Sequence, residues 1–539
     1  MSYVEDLIKI GDGLHSDRGA LLSLWQDIAD NFYPERADFT IRRHLGAEFA
    51  SQLYSSYPVI ARRELGNAFS TMLRPKDKVW AHMTVEDPDR LSHAGRVWLE
   101  RATKIQRKVM YDRQSLFVRA TKEGDQDFAA FGQCVIHRET DWARPGLLYR
   151  NYHLRDTAWT EGINGQIGQI HRNWNPTIQD LIDKFDGKPN STVHPDVLKH
   201  KDSSERFKKE IPCRAVVMPA EAFGGDKKYG QPWVHAYVDL ENKHIMEEVG
   251  LVSHGYTIPR WTTVSGSQYG FSPAVTAGLA DARLIQAMTL TLLEAGEMAV
   301  RPPMIATAEA VRSDMQVFAG GVTWVEAEYD EKLGEALRPL KLDLRGLPFG
   351  LEQQADVREM LATAFFLNKI SMPLRQKEMT AYEASKMWEQ YIRDAIPLFE
   401  PMETDYNGSL MEDTFSELMR LGTFGPISEV PEELLEQEIL FRFESPLHDA
   451  IERIDAETFI ESTELIGAAM ELDENAGAVL DVVKSLRGAL KGIGQKEENM
   501  RDEDEFKAIA AQRVEAREAA EALAMAQQGA DVAKTVSDA

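Results

Sequence analysis

Lys369, Arg375 and Lys377 fall within nine residues of one another, and of all the groups in this chain they are the best placed to do chemistry. That chemistry would be ionic, because ammonium and guanidinium groups neutralise phosphates without reading bases. In a lone subunit such a trio is an ordinary solvated turn. Folded out and back, with four or five residues to a leg at about 3.4 Å each, the same loop would project roughly 15 Å from the helices that carry it. Repeated round a ring, each cation would become a circle of positive charge about a central opening.

Covalent and metal chemistry find no comparable setting. No G-x-x-x-x-G-K-[ST] occurs, and Gly224-Gly225-Asp226-Lys227-Lys228 has neither the spacing nor the hydroxyl of a phosphate cradle. Gly162, Gly165 and Gly168 are three apart, which misses the dinucleotide fingerprint and marks a loop into a strand. The thirteen histidines include no H-E-x-x-H pair, so packed or solvated imidazoles are expected. Gly266-Ser267 is not within G-x-S-x-G. Four consecutive carboxylates at 502–505 fan around a helix axis, and acid in a first turn is explained by the helix dipole. The sequence therefore predicts no enzyme, no cofactor and no metal. A metal-dependent nuclease or other carboxylate-based hydrolase is the alternative, drawing on the 87 Asp and Glu residues; a non-viral acidic scaffold protein is a third reading.

The elements that must position the basic loop come on either side of it. Ser272-Pro273 starts a helix, since the serine oxygen caps free N–H groups and proline lacks the N–H that would go unpaired. The helix runs to about Val300, where Pro302 and Pro303 push Arg301 out of the α region. Its small residues, among them Ala274, Ala277, Gly278, Ala287, Ala295 and Gly296, leave room for close neighbours. Asp281, Arg283, Glu294 and Glu297 exclude a membrane span. From Met304 to Leu344 the period changes, and Gly320-Gly321 within 317–325 suits a hairpin. A second helix begins near Gly350 and runs through Val357, Leu361 and Phe365 to Ile370. Pro373 stops it, and Thr380 with Glu383 forms a capping box that opens the next helix.

The remainder reads as support. At 539 residues with 43% hydrophobic composition, three or four lobes are expected. Two cysteines, Cys134 and Cys213, make no disulfide framework, which predicts a reducing setting. The N-terminal residues carry no basic region ahead of an apolar core, so no secretory signal is expected. Formal net charge is −26, which would repel a polyanion if spread evenly. More than half of that excess falls in 428–505, with 7 Lys or Arg against 22 Asp or Glu. Helices are predicted over 7–30, 57–73, 99–110 and 116–131, with a short strand over 80–85. A strand over 133–139 follows, and strands dominate 147–251, at 147–152, 165–173, 215–218, 233–239 and 244–250, with helices inserted at 177–185 and 197–210. A strand over 439–443 is expected to pair back with an earlier one. Helices follow at 451–470, 475–490 and 502–528.

Several short stretches resemble the portal proteins of tailed phages, and more closely the head-to-tail connector family of short-tailed, podovirus-type phages. Leu24-Trp25 through Tyr33-Pro34-Glu35-Arg36 resembles the family's Tyr-x-Pro-type motif, with tyrosine and proline adjacent here. Leu73-Arg74-Pro75 with Lys78-Val79-Trp80 resembles its Pro-then-Trp segment, Phe131-Gly132-Gln133-Cys134 its Phe-Gly turn into a strand, and Tyr269-Gly270-Phe271-Ser272-Pro273 its entry to the first stem helix. The resemblance covers about residues 5 to 500. It implies an α+β, mainly α portal fold: a wing from 1–271 and 380–445, stem helices 272–300 and 346–370, a clip 301–345, a channel loop 371–379 and a crown 446–500. Residues 501–539 would form a C-terminal helix and tail. It also implies a ring of about twelve subunits at one capsid vertex of the virion, assembled in the host cytoplasm. Double-stranded DNA would pass through the ring past Lys369, Arg375 and Lys377. Arg301, Arg312, Arg338 and Lys341 on the clip would face partners: the terminase large subunit, then tail adaptor proteins. Major capsid and scaffolding proteins would meet the wing, and no membrane is involved.

Overall fold

A computed structural model describes residues 3–42, 44, 46–48, 53–140, 146–222, 230–306, 337–339, 346–370, 402–435, 437–443, 459–470, 479–492, 495, 499–501 and 505–520. In chain order the first elements are α1 (Tyr3–Ser16), α2 (Gly19–Phe32), α3 (Tyr57–Met72), β1 (Ala81–Thr84), α4 (His93–Met110) and α5 (Phe117–Phe131). Strands β2 (Val135–Thr140), β3 (Leu147–Tyr152), β4 (Thr157–Glu161) and β5 (Ile167–Trp174) follow, then α6 (Ile178–Phe185) and α7 (Pro195–Leu198). Next come β6 (Cys213–Pro219), β7 (Trp233–Asp239), β8 (His244–Leu251) and β9 (Tyr256–Thr257). The chain divides into two compact units, 1–70 with 116–410, and 71–115 with 411–539.

In the first unit β4-β5-β6-β7-β8 form a five-stranded antiparallel sheet, and β3-β2-β9 a three-stranded one. Side chains alternate across a strand, and the larger sheet is covered on both faces. Cys213, Ala215 and Tyr237 pack on one face against Ile178, Leu181 and Phe185 of α6. Val216, Met218, Val234, Ala236 and Val238 pack on the other, against Leu7 of α1. Helix α6 starts where the sequence predicts, with Thr177 and Asp180 exchanging capping-box hydrogen bonds. No helix spans 197–210. A single turn at α7 and a short 3-10 turn at Ser204–Phe207 take its place. Ser203 Oγ accepts from the Glu205 N–H at 3.2 Å, the kind of local bond that competes with a continuous helix. The sequence also predicts one helix over 7–30, but the chain breaks at Asp17-Arg18. The buried Arg18 guanidinium donates to the carbonyls of Leu154 and Arg155 at 2.9 and 2.8 Å, so the break serves to dock the helix pair on the sheet.

The second unit holds the strand that closes back. β12 (Leu440–Phe443) pairs antiparallel with β1, Ala81 opposite Phe443 and Thr84 opposite Leu440. Trp80 stacks on Phe443 with centroids 6.2 Å apart, and its indole N–H donates to the Tyr111 hydroxyl at 2.9 Å. α4 is capped by Ser92, whose Oγ accepts from the Gly95 N–H. Helical residues 459–470 and 505–520 are mostly exposed, as is the helix Val482–Gly492 wherever its side chains are described.

Candidate functional site: an anchored two-helix hairpin

The two helices predicted around the clip are present, as α8 (Leu279–Val300) and α9 (Leu347–Ala364), the latter followed by the turn α10 (Leu367–Ile370). Between them the chain leaves and returns as an antiparallel ribbon, β10 (Met304–Ala306) with β11 (Leu337–Pro339), Ile305 opposite Arg338. The expected hairpin at 317–325 lies outside the described residues. α8 ends at Val300, and Arg301 adopts φ −129° and ψ 73°, as expected for a residue preceding Pro302.

The helices are antiparallel and in step. A Cβ on Gly278 would meet Phe365 at 3.0 Å, and one on Gly350 would meet Leu292 at 2.8 Å. Fourteen residues of α8 are thus matched by fifteen of α9, about 22 Å of each at 1.5 Å per residue. Midway, Gln354 Nε2 donates to Thr289 Oγ1 at 2.7 Å. The pairing buries few side chains: Ala282 and Ile285 on α8, Gln354, Val357 and Leu361 on α9. Leu284, Leu293, Met298, Val300, Phe349, Leu351 and Met360 stay exposed. A helix apolar on several sides is one that expects several neighbours.

One end of this hairpin is held firmly, by the stretches that the sequence sets apart as motifs. Ser272 Oγ accepts from the Val275 N–H at 3.3 Å and donates to the Ala130 carbonyl at 2.7 Å, tying the helix start to the end of α5. The Gly132 carbonyl accepts from the Trp261 N–H at 2.8 Å, and Gln133 Oε1 accepts from the Gly270 N–H at 2.8 Å. Gly132 sits at φ +75°, where a Cβ would fall 2.5 Å from both Phe271 C and Ser272 N. Gly270 in turn faces the Gly132 carbonyl, with 2.8 Å to a hypothetical Cβ. The two glycines lie where two backbones cross with no room for side chains.

Aromatic rings surround the crossing. Trp25 meets Tyr269 edge-on at 5.9 Å and Phe131 at 6.3 Å, while Tyr33 stacks on Phe131 at 6.4 Å. Pro34 begins a turn that delivers Arg36 to Asp127 on α5, with bonds of 3.0 and 2.7 Å. Asn151 Nδ2 donates to the same carboxylate at 2.7 Å, so a buried charge is paired and hydrogen-bonded. Burial, reinforced by Asp127, pushes the Tyr33 phenol up to about 12. It stays neutral beneath Arg62, whose guanidinium lies 3.9 Å from the ring centre.

Further along, Arg283 pairs with Asp27 at 2.9 Å. Gln286 Oε1 accepts from the N–H groups of Tyr54 and Ser55, and its Nε2 donates to the Ser55 carbonyl, each at 2.8 Å. Two features of the hairpin were not predicted. Its first turn, Ala274–Gly278, is π-helical, and α9 breaks at Phe366, which has φ +56°. The break has a cause: Phe365 packs on Phe32 at 5.2 Å while Phe366 stacks on Trp261 at 6.3 Å. Adjacent residues of one helix point about 100° apart, so serving both clusters requires a kink.

Of the cations singled out in the sequence, Lys369 is exposed on α10 with Nζ 5.9 Å from the Phe366 ring centre. Arg301 is exposed at the opposite end of the hairpin, and Arg338 lies on β11. Arg375, Lys377, Arg312 and Lys341, the loop 371–379 and the capping box at Thr380 lie outside the described residues. Among the described residues no group of three or more His, Cys, Asp or Glu could hold a metal ion. No described helix is long and apolar enough to cross a membrane.

A profile described as bacteriophage head to tail connecting protein matches residues 4–499. A protein of Bordetella phage BPP-1 named "Probable portal protein" is 23% identical over 530 residues, covering 96% of this chain and 93% of its own. A chain from the virion of a native gene transfer agent particle aligns at TM-score 0.36 and 10% identity, covering 81% of this chain and 95% of that one. Another, from the neck of the native particle, aligns at 0.35 and 11%, covering 79% and 90%. These superpositions are too loose to place any residue.

Proposed function

The chain belongs to the bacteriophage head to tail connecting protein family, and from that premise we propose that it is a portal protein: a ring of about twelve copies at one capsid vertex, through which double-stranded DNA enters and later leaves the virion. The observation that carries the proposal is the stem hairpin. It is fixed at its base by backbone crossings and buried aromatic rings, yet one subunit leaves seven large apolar side chains, from Leu284 to Met360, uncovered. Neighbouring copies of the same hairpin would cover them.

In this reading 272–300 and 346–370 are the stem, 301–345 the clip, 371–379 the channel loop, and 446–500 the crown. The parts 1–271 and 380–445 make the wing, and 501–539 the C-terminal helix and tail. The clip, with Arg301, Arg312, Arg338 and Lys341, docks the terminase large subunit and then tail adaptors, while major capsid and scaffolding proteins bind the wing. Lys369, Arg375 and Lys377 line the channel as a few basic rings within an otherwise acidic protein. Such a wall centres the duplex through weak, salt-sensitive contacts and does not hold it by extensive counterion release. No base is read, since a conduit passes every sequence.

Negative-stain images of the purified protein test the ring directly: closed annular particles are expected, and a uniform monomer at micromolar concentration would refute it. Arg375→Ala with Lys377→Ala is expected to impair DNA packaging or retention while rings still form. Loss of the rings in that variant would remove the loop from the channel and place it in assembly.

A further inference from the structure

We infer that neighbouring copies lock through a knob and hole on opposite flanks of the same hairpin: Leu293 with Leu351 of one copy seats in a small-residue groove of the next, with Arg358 beside Asp356. The inference rests on the ring reading above and specifies its contact.

The hole is a groove of roughly 430 Å³ between α8 and α9. Ala287, Thr291 and Ala295 line it from α8, and Gly346, Gly350 and Gln353 from α9. Met288 and Leu292 of α8 and Leu347 of α9 complete the lining, so the small positions leave space within an otherwise apolar wall. The knob is on the other side. Leu293 is two residues from both Thr291 and Ala295, which places it about 200° round the helix from the groove. On α9, Leu351 is about 200° from Gln353 and one turn from Leu347, on the edge of the lining away from Gln353. Leu293 and Leu351 are 57% and 58% exposed, and each stands at a real cost in water unless something covers it.

Height decides what kind of assembly follows. Gly350 packs against Leu292, so Leu351 stands level with Leu293, and both are level with a groove that spans Ala287 to Ala295. A contact that joins opposite flanks is heterologous. Rotation without translation along the axis closes it into a ring, whereas a knob displaced from its hole would build a filament. Charge follows the same pattern one turn or two further along α9. Asp356 is seven residues from Phe349 and Arg358 seven from Leu351, so acid and base stand on opposite flanks at nearly the same level. Both are exposed. A copy presenting Arg358 thus meets a copy presenting Asp356.

The test is a cysteine pair, Leu293→Cys with Ala295→Cys, treated with a mild oxidant. Positions 293 and 295 point to opposite sides of one helix and cannot bridge within a chain. The native cysteines, Cys134 and Cys213, are buried. A ladder of linked species rising to the full ring on a non-reducing gel is expected, with none from either single variant. Rings in the images without a ladder would overturn this contact and leave the ring reading intact. Absence of rings from the unsubstituted protein would instead sink the ring reading. Should the cysteine pair fail to fold, a charge exchange serves. Asp356→Arg should lower the fraction of protein sedimenting as rings, and adding Arg358→Asp should restore it. An exchange that restores nothing would overturn the pairing.

Discussion

Gly132→Ala is the sharpest single perturbation the hairpin anchor offers. The residue is buried at φ +75°, and moving an alanine into the left-handed region costs about 1–2 kcal/mol. Steric overlap adds more. The new methyl would lie 2.5 Å from Phe271 C and Ser272 N and 2.9 Å from the Phe271 carbonyl oxygen. These are backbone atoms and have no rotamer by which to escape. Ordinary contact needs about 3.5–4.0 Å, so the two strands must part by about 1 Å. Three bonds span that gap: Trp261 N–H to the Gly132 carbonyl, Gly270 N–H to Gln133 Oε1, and Ser272 Oγ to the Ala130 carbonyl. Each buried polar group left unpaired costs about 1–3 kcal/mol. Losing two of the three together with the strain gives about 3–8 kcal/mol. Gly187→Ala is the control, because Gly187 has φ +71° and no atom within 4 Å of the new methyl; it should lose only the conformational part. Thermal melting followed by ellipticity compares the two. If Gly132→Ala melts within about 2 °C of Gly187→Ala, the crossing is looser than the reasoning requires.

Three further outcomes follow from the same contacts. Asp127→Asn leaves Arg36 without its counter-charge, and because Arg36 is partly exposed the loss should be about 3 kcal/mol, read as a lower denaturant midpoint; an unchanged midpoint would show the pair to be dispensable. Gln286→Ala removes three hydrogen bonds to residues 54 and 55 and should speed amide exchange there without lowering the main melting transition, whereas unchanged exchange would mean something else holds the segment. Burial, with Arg214 beside it, lowers His171 to about 4, and burial with Lys184 and Arg172 lowers His235 to about 3. Both rings stay neutral when folded but take up protons on unfolding below the usual 6.5. Each should therefore cost about 1.4 kcal/mol per pH unit as pH falls from 6.5. Melting temperatures at pH 7.5 and 5.0 check this, and equal values would contradict it.

What could be read from the sequence was whatever local chemistry decides. Ser272 and the Pro302-Pro303 pair fixed both ends of the hairpin's first helix because a cap and a missing N–H act within a turn. The start of α6 at Thr177 was also readable, and the capping box with Asp180 is the local cause the structure supplies. β7 emerged with its own ends because Pro232 and Asn242 bracket a short run. β4 did not, since Thr157 to Glu161 is short and runs into Gly162. The kink at Phe366 was invisible because Trp261 and Phe32, each about a hundred residues or more away, create it. The motif glycines could be noticed one at a time, but nothing in the order of residues says that Gly132 and Gly270 press on each other. The two helices of the hairpin were legible by period, whereas 301–345 and the basic loop lie mostly outside the described residues.

The anchor and the exposed flanks of the hairpin divide the work between two kinds of interaction. At the base, position is set by hydrogen bonds to backbone and by glycines with no space to spare. Such contacts tolerate little displacement, so the direction of α8 is fixed by its own subunit. Beyond Gln286 the buried side chains of α8 thin out, and apart from Glu294 and Glu297 what remains exposed is leucine, methionine, valine, alanine and threonine. Apolar contact of this kind is non-directional and scales with area, so it can join copies without dictating their angle. A ring needs both: angles repeated faithfully in every copy, and seams that adapt to close the circle. A chain that placed its rigid contacts at the seam and its soft ones at the base would fix the wrong quantity, holding neighbours together at angles free to vary from one copy to the next.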